Sequence, residues 1–381
     1  MTEEIVVIGA GVGGTVTANR LQKELNREIS AGDVRIRIIS DTPQHVYKPT
    51  WFYVPWGEAE PEDATRPLAD LIDRRVDIIY DRVTNIDTAA KSLSLSDSGS
   101  IPYDYLVVAT GAIPDIEGTP GFGADGNGHH FYNEEAAMDL RAELSSFEGG
   151  RLVFSVVEMP HVCPAVPIEF TMMADARFRE LGKRDDVDLT YTYPIPQLHS
   201  VDAVDEWVKP RFADRDVTTY TDFNFASVDA DAKVIHTEDG DTLSYDMLVG
   251  VPGFKPSSLI ADSGLGESWM EVDKHTLESD HAEGVFGVGD VTNIPTSKAG
   301  SVAHYAAGTV VSRVAALARG HTPRTTFDGD AICFLEAGTD SGSHMSFQYD
   351  TEPVIRDETE FVHWAKLAYN ESYWLTARGL A

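Results

Sequence analysis

The stretch Glu4-Ile5-Val6-Val7-Ile8-Gly9-Ala10-Gly11-Val12-Gly13-Gly14 decides how this chain is read. An apolar run of strand length passes directly into glycines 9, 11 and 14, spaced GxGxxG. Each glycine has a distinct task in a strand–turn–helix unit. Gly9 permits the tight turn, Gly11 lets backbone N–H groups approach a pyrophosphate, and Gly14 lets the helix pack on the sheet. Residues 15–25 continue as an amphipathic helix. Residues 34–39 form the next strand, which runs into Ser40-Asp41, where a side chain can reach ribose hydroxyls. This βαβ unit predicts a dinucleotide held at a helix N-terminus, where unpaired donors and a partial positive charge meet its phosphates.

Further along, 91–95 and 103–109 read as strands, and the second ends in Ala109-Thr110-Gly111. A glycine-rich loop, 118–128, precedes a helix over 133–146 and a second strand–turn–helix unit that starts with a strand at 151–157. Its next strand is 189–193. Tyr103-Asp104-Tyr105-Leu106-Val107 is echoed by Tyr245-Asp246-Met247-Leu248-Val249, the pattern of two similar nucleotide-binding halves. Gly284 to Asp290 returns to the first half, a long alanine-rich helix covers 300–319, and an aromatic helix covers 360–377. The expected fold is α/β: two tandem Rossmann-like, glutathione-reductase-like units and a short C-terminal segment. The first unit is expected over 1–112 and 240–330, the second over 113–239, and the C-terminal segment over 331–381.

Charge narrows the partners. The chain has 62 acidic and 30 basic residues, a net of −32, spread along its length. Such a surface repels nucleic acid, which needs clustered cations. It also points to a cytoplasm of very high salt, where self-repulsion is screened. No run approaches the roughly 18 apolar residues of a membrane span, and the start, MTEEIVVIGAG, lacks the basic residues of a signal peptide. A cytoplasmic protein, soluble or peripheral on the inner face of the cell membrane, is expected. The oligomeric state stays open, a homodimer included. Two cysteines, Cys163 and Cys333, are too few for a disulfide-built secreted scaffold, and no metal site is expected.

The second unit is informative for what it lacks. A nicotinamide site needs a glycine turn after the strand ending at Val157. Here Glu158-Met159-Pro160-His161-Val162-Cys163-Pro164-Ala165-Val166-Pro167 follows, and no glycine lies between Gly150 and Gly182. A thiol takes the place of the pyrophosphate cradle. Its position near a helix N-terminus favours the thiolate, and Glu169 lies six residues on.

Ala109-Thr110-Gly111 and Gly287-Val288-Gly289-Asp290 resemble the later fingerprints of two-domain flavoprotein disulfide reductases. In those folds the aspartate, here Asp290, binds the ribityl chain of FAD. Taken with the cysteine turn, His199, Phe254-Lys255-Pro256, Ile294-Pro295-Thr296-Ser297-Lys298-Ala299-Gly300, Cys333-Phe334 and Phe361-Val362-His363-Trp364-Ala365-Lys366, nearly the whole chain resembles the sulfide:quinone oxidoreductases. The resemblance implies a redox pair of Cys163 and Cys333 beside the flavin. Sulfide attacks the bridge and leaves a persulfide on Cys163. Cys333, freed as a thiolate, attacks the flavin at C4a, and a quinone removes the two electrons. It further implies Glu169 as general acid–base, His199 as proton relay, Lys298 as stabiliser of reduced flavin, and Phe334, Phe361 and Tyr369 at the quinone. Many members carry a third cysteine where this chain has His129-His130-Phe131-Tyr132-Asn133, so FAD is expected to be non-covalent. Rival readings are a type II NADH:quinone oxidoreductase, the flavin subunit of a cytochrome-linked sulfide dehydrogenase, and a non-catalytic flavin-bound sulfur sensor.

Overall fold

The computed structural model describes residues 2–123 and 127–380; residues 124–126 of the glycine-rich loop expected at 118–128 lie outside them. In chain order, β1 (Glu3–Ile8) leads into α1 (Val12–Glu24), and β2 (Val34–Ser40), β3 (Val76–Tyr80) and β4 (Tyr105–Val108) follow. The second unit contains β5 (Gly150–Val156), α2 (Val166–Glu180), β6 (Val187–Thr192), β7 (Thr218–Tyr220) and β8 (Met247–Val251). The chain then returns through β9 (Val285–Gly287) and α3 (Gly300–Ala318). It ends in an antiparallel sheet of β10 (Ala331–Glu336), β11 (Gly342–Phe347) and β12 (Val354–Ile355), followed by α4 (Glu360–Thr376).

The first sheet runs β9-β4-β1-β2-β3, parallel throughout, with β1 at its centre. Ile5, Val6 and Val7 are fully buried, because a central parallel strand is covered on both faces and must be apolar without alternation. The second sheet, β7-β6-β5-β8, is also parallel. The internal echo holds at the level of single bonds. The Asp104 carboxylate accepts from the Glu4 amide at 2.8 Å and that of Asp246 from the Arg151 amide at 2.7 Å. Lys91 Nζ donates to the Asp104 carbonyl at 3.3 Å, and Lys233 Nζ to that of Asp246 at 3.1 Å. In each half a three-stranded meander precedes the repeated strand.

That repeat corrects one expected boundary. A break at 239/240 would split the second meander, whose last strand is Thr242–Ser244, and would assign β8 to the first unit. Instead β8 pairs with β5, because meander and strand move together as a repeated module. The two crossings between units lie side by side, where Ile113–Asp115 pairs antiparallel with Gly253–Lys255. We place the unit boundaries in that ribbon.

Candidate active site

A cavity of about 1150 Å³ starts at the β1–α1 turn, passes the β4 and β9 ends, and reaches the cysteine turn and the C-terminal sheet and helix. It exceeds the roughly 300–1,000 Å³ of a drug-sized ligand's pocket. Gly9, Gly11, Ser40, Asp41, Thr110, Gly111, Gly289, Asp290, Lys298, Cys163, Glu169, Cys333, Phe334 and Tyr369 all line it. Gly14, His199 and Phe361 do not.

The glycine turn has the geometry the motif requires. A Cβ on Gly14 would lie 1.8 Å from the Gly9 carbonyl oxygen, and one on Gly9, where φ is +94°, would lie 2.5 Å from that of Ala109. Gly11 instead faces open space, and a Cβ there would meet nothing within 4 Å. The residues fit a dinucleotide on independent grounds. The Thr110 and Ser301 hydroxyls are buried, have no protein partner, and belong to residues that line this cavity. Ser40 turns its hydroxyl onto the Thr42 carbonyl at 2.8 Å, and Asp41 pairs with Arg82 at 3.3 Å, so both already have local partners.

Just past the C-terminal end of β9, at the same sheet edge as the glycine turn, burial pushes the Asp290 carboxyl up, while Lys48 and Lys298 oppose the shift. Lys298 precedes α3, whose N-cap is Ala299, instead of opening it. Its Nζ donates to the Asp290 and Thr292 carbonyls at 2.8 and 2.9 Å and lies 3.5 Å above the Trp269 ring. Burial lowers this ammonium to about 8. Lys48, which sequence reasoning passed over, also lines the cavity and donates to the Ala112 carbonyl at 3.1 Å.

Cys163 sits at φ +54°, a left-handed conformation costly for a residue with a Cβ. The turn is held by its amide, which donates to the Lys298 carbonyl at 2.8 Å, and by its carbonyl, which accepts from Val166 at 3.0 Å. Cys333 comes from the middle of β10, opposite Met345. Both thiols are free and open on the same cavity. The expected thiolate at Cys163 is not what the surroundings favour. Burial, then Glu169 and Cys333, push its thiol well up, and the pull of Lys366 and the Val166 amide does not offset them. Burial likewise pushes Cys333 up to about 12. Helix-end polarity is worth about a kcal/mol near a surface, and loss of solvation outweighs it here.

Behind the thiols lies a buried polar chain. Lys366 on α4 pairs with Glu169 and approaches Glu336 at 3.7 Å. Glu336 also accepts from Tyr53 at 2.7 Å and meets His363 Nδ1 at 2.9 Å. The Glu336 amide donates to Glu169 at 2.7 Å. Burial alone would pull the Lys366 ammonium down; Glu169 and Glu336 outweigh it and hold the group charged. Glu169 is itself raised by burial, with Lys366 opposing. Sequence reasoning singled out Glu169 but gave no role to Lys366, Glu336, His363 or Tyr53.

Two further candidate residues lie outside the cavity lining. His199 is fully buried behind the cysteine turn. Its Nδ1 accepts from the Val201 amide at 3.0 Å and its Nε2 donates to the Pro164 carbonyl at 3.2 Å. Burial lowers it to about 4, and the two hydrogen bonds brace the cysteine turn from behind. Phe361 is 79% exposed and lies outside the cavity. Phe334 and Tyr369 do form one end of it, with ring centroids 5.5 Å apart. Tyr132, within the segment that holds no cysteine here, brings a buried, unpartnered hydroxyl to the cavity beside Phe254.

A doubly wound pair of nucleotide-binding units, with a dinucleotide-sized cavity that two free thiols also line, defines a dinucleotide-dependent oxidoreductase. The family model for pyridine nucleotide-disulphide oxidoreductases matches residues 3–309, and the chain belongs to that family. It is 26% identical over 363 residues to the mitochondrial sulfide:quinone oxidoreductase of Mus musculus, covering 92% of this chain and 79% of the mouse protein. It is 25% identical over 403 residues to the sulfide-quinone reductase of Aquifex aeolicus, covering 98% and 91%. The crystal structure of the sulfide:quinone oxidoreductase from Aquifex aeolicus superposes with a TM-score of 0.86 at 23% identity, over 99% of this chain and 92% of that one.

Proposed function

We propose that this chain oxidises sulfide to sulfane sulfur through a Cys163–Cys333 pair and non-covalently bound FAD, with a quinone as electron acceptor. The observation that carries the reading is the convergence of both cysteines, 170 positions apart, on the cavity that begins at the glycine turn. Sulfide attacks the oxidised pair, and one S–S bond breaks as another forms, leaving a persulfide on Cys163 and a thiolate on Cys333. Restoring the pair releases two electrons, which reach the quinone together with two protons. The net change is hydrogen sulfide and quinone to sulfane sulfur and quinol. FAD, when bound, supplies the two-electron step between thiol and quinone chemistry. Gly9, Gly11, Thr110 and Asp290 are the residues to hold it, and Lys366 is the charged group that draws both thiols toward the thiolate. Phe334 and Tyr369 offer aromatic faces to a quinone.

The turn after β5 argues against a nicotinamide donor. α2 opens with Pro167 in its first turn, which lacks an N–H, and the Glu158 side chain fills the space beside Gly253. Peripheral attachment follows from α4, whose outer face exposes Phe361, Trp364 (59%) and Leu375 (56%); among the described residues no helix is long and apolar enough to cross a membrane. Anaerobic stopped-flow tests the reading. Sulfide should bleach the flavin absorbance and a soluble quinone should restore it, while NADH and NADPH leave it unchanged. Rapid bleaching by micromolar NADH, with none by sulfide, reverses the assignment.

A further inference from the structure

We infer that the C-terminal helix α4 is a working part of the dinucleotide site, acting through His45 and Tyr373 as positioning residues for the glycine turn. His45 is fully buried and belongs to none of the sequence motifs. Its Nδ1 lies 2.7 Å from the Ala10 carbonyl oxygen, which can only accept, so that nitrogen carries the proton. Nε2 therefore has a lone pair, and the Tyr373 hydroxyl, 2.7 Å away, donates to it. The result is one directed chain, from Tyr373 O–H to the imidazole to the Ala10 carbonyl. Thr15 adds a second hydrogen bond to the same carbonyl at 3.0 Å.

The consequence lies in the peptide that joins Ala10 to Gly11. In a planar trans peptide the C=O and the following N–H point in opposite directions. Anchoring the Ala10 oxygen from the protein side therefore fixes the direction of the Gly11 N–H. Gly11 lines the cavity and faces open space, so this donor is the one that a phosphate oxygen would meet. Tyr373 is itself held in place, stacked on Tyr47 at 4.0 Å between centroids. The helix end is tied a second time to α1, because Asn19 Nδ2 donates to the Ala377 carbonyl at 2.7 Å and Lys23 Nζ to that of Gly379 at 3.2 Å. Residues more than 320 positions from the glycine turn thus set the orientation of its phosphate donor.

The inference rests on the reading of the cavity as an FAD site, and the test separates the two. FAD dissociation from purified holoprotein is followed by the rise in flavin fluorescence after dilution, and FAD affinity by titration of the apoprotein. The wild type should hold FAD. Tyr373→Phe, which keeps the ring stack and removes only the hydroxyl, should release it about 5-fold faster. His45→Phe should release it at least about 10-fold faster, since each loses a buried hydrogen bond of the chain. The double variant should be no worse than His45→Phe alone, because both residues act through the same carbonyl. His45→Asn, whose amide can still donate to Ala10, should recover much of the retention. A wild type that binds no FAD overturns the cofactor reading and the latch with it. A wild type that holds FAD, with both single variants within about 2-fold of it or with additive effects in the double variant, overturns the latch alone.

Discussion

Cys163 and Cys333 are expected to be essential and unequal. Cys333 comes from a strand in the C-terminal sheet, whereas Cys163 sits on a turn at positive φ. Cys333→Ser should abolish reduction of the flavin by sulfide, since no thiolate remains to complete the exchange. Cys163→Ser should stop turnover while leaving Cys333 able to give a long-wavelength thiolate–flavin absorption at high pH. Two merely structural thiols would instead give variants of lower melting temperature that still reduce quinone with sulfide, and full activity in either variant defeats the redox-pair reading. At this scale the sequence was readable where a residue's task is local. Gly9 and Gly14 are required by atoms within a few residues or on the adjacent strand, and the motif spacing encodes that. His199 was legible as unusual but not in its task, because the Pro164 carbonyl that it braces lies 35 positions away.

Among the elements, α4 breaks the rule by which helices are read. Its buried positions include His363, Lys366 and Tyr373, while Phe361, Trp364 and Leu375 face outward. The family resemblance suggested Phe361 for the quinone, but its side chain is 79% exposed and lines no part of the cavity. The polar inner face is tolerated because each charge finds a partner: Glu169 lies 197 positions from Lys366 in sequence, a pairing that no local pattern reveals. This arrangement gives opposite predictions for two neighbours. Lys366 draws both thiols down and Glu169 pushes them up. In reduced, FAD-loaded protein, Lys366→Met should slow iodoacetamide alkylation of the cysteines at pH 8–9 by about 10-fold, the size expected for losing a nearby opposite charge. Glu169→Gln should speed it, with the pH–rate profile displaced to lower pH. Removing one member of a buried pair also costs about 3–5 kcal/mol, so loosened packing is the competing explanation. Loosening would accelerate alkylation in both variants, and a faster Lys366→Met would sink the electrostatic account.

For the molecule as a whole, the alternation of strands and helices was enough to identify two nucleotide-binding halves, and the echo of Tyr103-Asp104 in Tyr245-Asp246 marked their kinship. The expected boundary at 239/240 fell inside the second meander, because strand partners are set by packing that sequence does not display. Charge acts on the same scale. With 62 acids and 30 bases, at most 30 acids can have a cation of their own, which leaves 62 − 30 = 32 without one. Salt weakens both the ion pairs, such as Arg319 with Glu24 and Glu28, and the repulsion among the surplus acids. Exposed pairs contribute only about 0–1 kcal/mol each, whereas the surplus repels at every separation shorter than the Debye length. That length falls from about 10 Å at 0.1 M to about 3 Å at 1 M, so the repulsive part should dominate the response. The melting temperature of the holoprotein should therefore rise by about 5 °C or more between 0.1 and 1 M KCl, equivalent to roughly 4 kcal/mol or more for a chain of this length. NaCl should match KCl at equal ionic strength, and sucrose at equal osmolarity should give a smaller rise. A melting temperature that is flat or falling across the KCl series would mean that the paired charges outweigh the surplus, and would remove the case for a high-salt interior as this protein's working environment.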